Sequence, residues 1–163
     1  MKTTSIAAIF LVSFVILSCS GQSAVKYNNL IVEQDSSLLP AIEKAESDIA
    51  KFAAVPQWDS VAAVSKRMEA VVDTRLQLIM KKDAPDVAGA EDFKRGALRY
   101  FKFIKDIYAG YGKLALQSTD QARLAEYDKF TEMVKQKTKV VEDFQAEQRR
   151  FAKQHNIRLT TKK

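Results

Sequence analysis

Residues 91–117 read EDFKRGALRYFKFIKDIYAGYGKLALQ. Phe93, Ala97, Tyr100, Ile104, Ile107, Tyr111 and Leu114 recur at steps of four and three. That spacing puts all seven side chains on one stripe of an α-helix and is incompatible with the two-residue alternation of a strand. Phe101, Phe103 and Tyr108 lie beside the stripe and widen its apolar face, so the helix is expected to touch two neighbours. A helix of this kind cannot bury its face alone, and the chain on either side supplies partners.

Upstream, Tyr27, Ile31, Gln34, Leu38, Ala41, Ala45, Ile49 and Phe52 step by four and three, predicting a helix over 25–54. Pro40 falls inside it. Proline removes one helical hydrogen bond and strains the preceding turn, so the helix either kinks near Ser36 or restarts there with Ser37 as cap. The unbroken phase of the stripe favours a kink. After Pro56, Val61, Val64, Met68, Val71, Arg75 and Leu78 predict a second helix over 58–82, with Asp59 able to cap its start and Pro85 beyond its end. Downstream, Ser118 and Gln121 fit a capping box opening a fourth helix over 121–155. Its stripe is Tyr127, Phe130, Val134, Val141, Phe144, Gln148, Phe151 and His155, and Asn156 is placed to end it. Short connections make successive helices antiparallel neighbours. The expected fold is therefore all-α, an up-down-up-down four-helix bundle over residues 26–156. The rival is a three-helix array with the first two helices continuous, against which Pro56 stands at the corner.

The start of the chain has a different character. Met1-Lys2-Thr3-Thr4-Ser5 leads into an apolar run from Ile6 to Leu17 broken only by Ser13. Twelve residues make about 18 Å of helix, well short of a hydrocarbon core of about 30 Å, and the pattern is that of a secretory signal. Ile16-Leu17-Ser18-Cys19 resembles a bacterial lipobox: aliphatic residues, a small residue, then cysteine. Such a signal implies acylation of the thiol and cleavage before Cys19. Ile16 and Leu17 depart mildly from its commonest residues. The plainer alternative is an ordinary signal with an incidental cysteine, but the chain's one Cys stands where the signal needs it. Ser20 follows in place of Asp, which by the same resemblance directs the protein to the outer membrane of a Gram-negative cell. Residues 1–18 are thus expected to be a cleaved lipoprotein signal, 19–25 a polar lipidated tether, and 157–163 a basic C-terminal tail.

The composition narrows the chemistry. The 163 residues carry 26 Lys and Arg against 20 Asp and Glu, for a formal charge of +6, with one His and one Cys. Removing residues 1–18 leaves 25 bases against 20 acids. One cysteine allows no internal disulfide and no Cys-rich zinc site. One histidine, His155, with Ala152 three residues before it, provides no Glu-x-x-His pair for a di-iron bundle. His155 is more simply read as the residue that closes the last helix. No Gly-x-Ser-x-Gly elbow and no phosphate-binding glycine loop is present in the sequence. The reading is non-enzymatic, with no catalytic residue, no metal and no cofactor assigned.

Two stretches invite a binding role. Tyr108-Ala109-Gly110-Tyr111-Gly112 places two glycines inside a helix, each costing about 1 kcal/mol relative to alanine. Tyr100, Tyr108 and Tyr111 could line a small-ligand groove there; the simpler explanation is close helix contact. Residues 148–163 carry Arg149, Arg150, Lys153, Arg158, Lys162 and Lys163 with no acid. That end suits anionic polymers or lipid headgroups; a solvated tail completing the helix dipole is the simpler account. Arg75, on the stripe of the second helix, suggests an internal ion pair or a snorkelling side chain.

Tyr27-Asn28-Asn29-Leu30-Ile31-Val32, Phe93-Lys94 with Tyr100-Phe101-Lys102-Phe103, and Phe144-Gln145-Ala146-Glu147-Gln148 through Phe151-Ala152 resemble a family of small all-helical Gram-negative lipoproteins, some described as surface proteins. The resemblance is one of core positions across most of the mature chain. It implies the bundle, lipidation and the envelope, and brings no active residues. The expected protein is an outer-membrane-anchored binding or scaffold module. Its partners would be the membrane through the N-terminal lipid and an envelope protein or anionic polymer, not nucleic acid. The alternative is a small-ligand carrier using the tyrosine groove.

Overall fold

The computed structural model describes residues 11–12 and 19–161. The chain folds as an all-α four-helix bundle. The first three rods are α1 (Cys19–Ala54), α2 (Trp58–Lys81) and α3 (Ala90–Ala115); the fourth is divided into α4 (Asp120–Val134) and α5 (Lys137–Gln154). A two-residue antiparallel bridge joins Leu11–Val12 (β1) to Thr160–Thr161 (β2). The rest of the expected signal segment lies outside the described residues.

Cross-chain contacts fix the helix directions. Tyr27 packs on Phe93, Asp35 on Tyr100 and Glu46 on Tyr108, so α1 and α3 run parallel on one diagonal. Lys105 reaches Asp73, and Gly112 faces Ser65, so α2 runs against α3. Phe151 meets Phe93 while Phe144 meets Tyr100, so α5 also runs against α3. This is the up-down-up-down order. The core is aromatic where α3 meets α5: ring centroids are 5.1 Å apart for Phe93–Phe151 and 4.6 Å for Tyr100–Phe144. Tyr27 closes that layer edge-on from α1.

Several local expectations are corrected. The polar tether over 19–25 is instead the first turns of α1, and Ala24 is fully buried with Val25 beside it. Pro40 sits within one continuous helix, in keeping with the unbroken stripe that favoured continuation over a restart. The hydroxyls of Ser36 and Ser37 donate to the carbonyls of Glu33 and Gln34. The second helix is capped by Gln57 without a side-chain bond, Asp59 lying in its first turn. Its buried stripe is Val61, Val64, Met68, Val72 and Ile79, whereas Leu78 is 48% exposed. A strict seven-residue repeat drifts about 20° per heptad on a straight helix, and the core contact moves to the next residue. The expected single helix over 121–155 breaks at Lys135–Gln136. Between Val134 and Val141 the sequence has no apolar residue except Val140, and Lys137 and Thr138 occupy the positions a core stripe would need. The N-cap of α4 is Thr119, whose hydroxyl accepts from the Ala122 N–H, and not Ser118.

α5 ends as the sequence predicts. Asn156 adopts a left-handed φ of 54°, and the Ile157 N–H donates back to the Ala152 carbonyl at 2.8 Å. That turn buries Ile157 against the core, so the expected tail begins as a docked segment.

Candidate functional site

The three tyrosines of α3 converge on two carboxylates of α1. The Tyr100 hydroxyl donates to Asp35 Oδ1 at 2.8 Å. About two and three turns further on, Tyr108 and Tyr111 donate to Glu46 Oε1 and Oε2, both at 3.3 Å. Glu46 lines an apolar cleft with Leu39, Ile42, Phe103, Ile107 and Val141, and Lys137 at the start of α5 closes it. The structure thus brings Tyr100 and Tyr108 to one cleft and places Tyr111 beside it.

Burial sets the electrostatics here. It pushes the Glu46 carboxyl up, against the two tyrosine hydrogen bonds and the Lys137 charge, which pull it down. Burial likewise raises Asp35. The tyrosines are driven further from ionisation by burial first and by the neighbouring carboxylate second. Lys137 is lowered by burial, with Glu46 opposing. Elsewhere in the core Tyr27 is pushed up to about 12 by burial and Glu91. A carboxylate held by two neutral phenols beside an ammonium can recognise a polar group. The cleft as formed has a volume of about 50 Å³, whereas pockets that enclose small organic ligands run to roughly 300–1,000 Å³.

The glycines of this stretch have a packing explanation. A Cβ on Gly110 would come within 2.5 Å of the Phe130 ring and 3.1 Å of Met133. α4 therefore lies against the α3 backbone at this point. Phe130 packs against Tyr111 with the rings tilted and their centroids 4.6 Å apart. Apart from this contact α4 is thinly held: it buries no residue, Tyr127 is 46% exposed and Leu124 63%, against the expectation that Tyr127 belongs to the core stripe. Arg123 anchors its first turn, stacking over the Trp58 ring at 4.3 Å.

The other predicted residues gather at the opposite end of the bundle. Arg149, Arg150, Lys153 and Arg158 are all exposed, and Arg150 pairs with Glu147 at 2.9 Å. His155 caps α5; its Nε2 meets the Ala88 carbonyl at 2.8 Å, fastening the C-terminal end of α5 to the α2–α3 loop. Arg75 makes no ion pair among the described residues, and its Nε is buried without a partner. Sequence reasoning missed Asp35, Glu46 and Lys137. Asp35 and Glu46 flank the α1 stripe at positions that face α3 only once the helices pair, so helical spacing alone could not single them out. The missing core residue at 137 was the one available signal for Lys137.

Among the described residues no helix is long and apolar enough to cross a membrane, and no three of His, Cys, Asp and Glu come together to hold a metal ion. No protein-family model matches the chain, and no curated protein or solved structure matches it.

Proposed function

We propose that the chain is an outer-membrane lipoprotein of a Gram-negative envelope, anchored by acyl chains on Cys19. It acts without catalysis, as a binding or scaffold module that offers helix faces to an envelope protein or an anionic polymer. The observation that carries the anchor is Ile16-Leu17-Ser18-Cys19, following a short apolar run and holding the chain's one cysteine. Several acyl chains together hold a protein to a bilayer stably, each buried CH₂ contributing about 0.8 kcal/mol. The binding role is supported by α4, which leaves Leu124 and Tyr127 open to solvent on one face. The small-ligand reading draws on Glu46 and its tyrosines but has only the 50 Å³ cleft to offer.

The test is growth with labelled palmitate followed by separation of inner and outer membranes. The wild type incorporates label and sediments with the outer membrane. Cys19→Ser incorporates none and leaves that fraction. Equal distribution of the two proteins would remove the anchor from the account.

A further inference from the structure

The anchor and the basic residues were separate features of the sequence, and the fold puts them at one end. Tyr27, Phe93 and Phe151 form a single layer, with ring centroids 5.1–6.4 Å apart. From that layer α1 runs eight residues back to Cys19, about 12 Å of helix. α5 leaves the same layer toward Lys153, Asn156 and Arg158. His155 ties it to the loop that follows Lys81 and Lys82. Among the described residues, Lys26, Lys81, Lys82, Arg149, Lys153 and Arg158 are exposed at this end and paired with no carboxylate. The exposed acids that share the end are Asp83, Asp86, Glu91 and Asp92, the last paired with Arg95. Bases outnumber acids, and Lys162 and Lys163 follow in the sequence.

No slack chain separates this end from the lipidation point. α1 is helical from Cys19, and Ala24, five residues on, is fully buried in the bundle. Lys26, seven residues on, stands about 10 Å of helix from the acylation point. That distance is close to the Debye length of about 8 Å at physiological salt, and the long Lys and Arg side chains shorten the remaining gap to the headgroups.

We propose that this end of the bundle is a docking face for anionic lipid headgroups of the membrane that holds Cys19. Lys26, Lys81, Lys82, Arg149, Lys153 and Arg158 make the contact, and the rods stand end-on to the bilayer. This rests on the lipoprotein reading. The consequence is an orientation: the connection bearing Leu116, 74% exposed, and the start of α4 point away from the membrane. α3, 26 residues long, keeps that tip about 39 Å from the basic end.

The mature lipidated protein is reconstituted into phosphatidylglycerol–phosphatidylcholine vesicles and into pure phosphatidylcholine. A fluorophore is placed at Ala88→Cys or, in a second preparation, at Leu116→Cys, and energy transfer to a headgroup-labelled lipid is read. Transfer several-fold stronger from 88 than from 116 is expected on the anionic vesicles. The contrast should fall on neutral vesicles, in molar salt, and in the combined variant Arg149→Gln, Lys153→Gln, Arg158→Gln. Vesicle-bound protein with the same contrast on both lipids overturns the docking face and leaves the anchor intact. Protein that stays off both vesicles overturns the anchor as well. Lipid-independent transfer together with charge-dependent binding of heparin reassigns the basic end to a polymer and overturns the proposal.

Discussion

Gly110 and Gly112 are two residues apart in α3, and the bundle predicts opposite outcomes for replacing them with alanine. An alanine inside a helix is favoured over glycine by up to about 1 kcal/mol. At position 112 the added Cβ would sit 3.6 Å from Ser65 and 3.7 Å from Glu69, ordinary contact distances. The propensity gain is therefore kept. In a domain of about 150 residues it amounts to roughly 2–4 °C of Tm. At position 110 the Cβ would fall 2.5 Å from Phe130 Cδ2 and 2.9 Å from Cε2. Overpacking of this kind costs about 1–3 kcal/mol where nothing can move. Here α4 can move, because it buries no residue. Gly110→Ala should leave the global unfolding free energy within about 1 kcal/mol of wild type while loosening α4 alone. Two assays separate these effects. Denaturant unfolding followed by circular dichroism gives the global stability. Amide exchange over residues 120–134, with the fluorescence of Trp58 under Arg123, reports the docking of α4. A Gly110→Ala protein as stabilised as Gly112→Ala, with exchange in α4 unchanged, would refute the claim that glycine stands there to admit α4.

Three further outcomes follow from the packing. Glu46 is raised by burial, so the native state binds its proton more tightly than the unfolded state does; its contribution to stability is greatest at low pH and declines as pH rises from the ordinary carboxylate value of 4.5 through the raised native value. Glu46→Gln should flatten that part of the stability-versus-pH curve measured by urea melts, and an unchanged slope would contradict the assignment. Phe93→Ala, at a fully buried position touching Tyr27, Phe144 and Phe151, should cost about 3–5 kcal/mol in urea unfolding. Thr119→Ala removes the one side-chain cap of α4 and about 1 kcal/mol with it, read as faster exchange near Ala122 and little change in Tm.

The stripe from Phe93 to Leu114 carried most of the fold in legible form, because a helix that pairs on two sides must repeat its apolar residues along its length. Where the contact surface is partial, legibility fails. Tyr127 fits the periodicity of the fourth segment yet faces solvent, since α4 touches the bundle through Phe130, Met133 and Arg123. The shift from Val71 to Val72 and from Leu78 to Ile79 reflects how a straight helix drifts under a seven-residue pattern. Tyr108 and Tyr111 could be singled out as unusual. Their partner Glu46, 62 and 65 residues earlier, is set by helix pairing that no local pattern encodes. The lipidation proposed at Cys19 rests on the opposite kind of pattern, a processing signal that would be read along the chain.

The central claim is that Cys19 becomes the acylated first residue of the mature protein. Mass spectrometry of the N-terminal peptide, taken from protein extracted from the outer membrane, tests it directly. The account predicts a peptide that begins at Cys19 and carries the mass of attached acyl chains. A peptide retaining residues from Met1–Ser18, or one with a free Cys19 thiol, would contradict it.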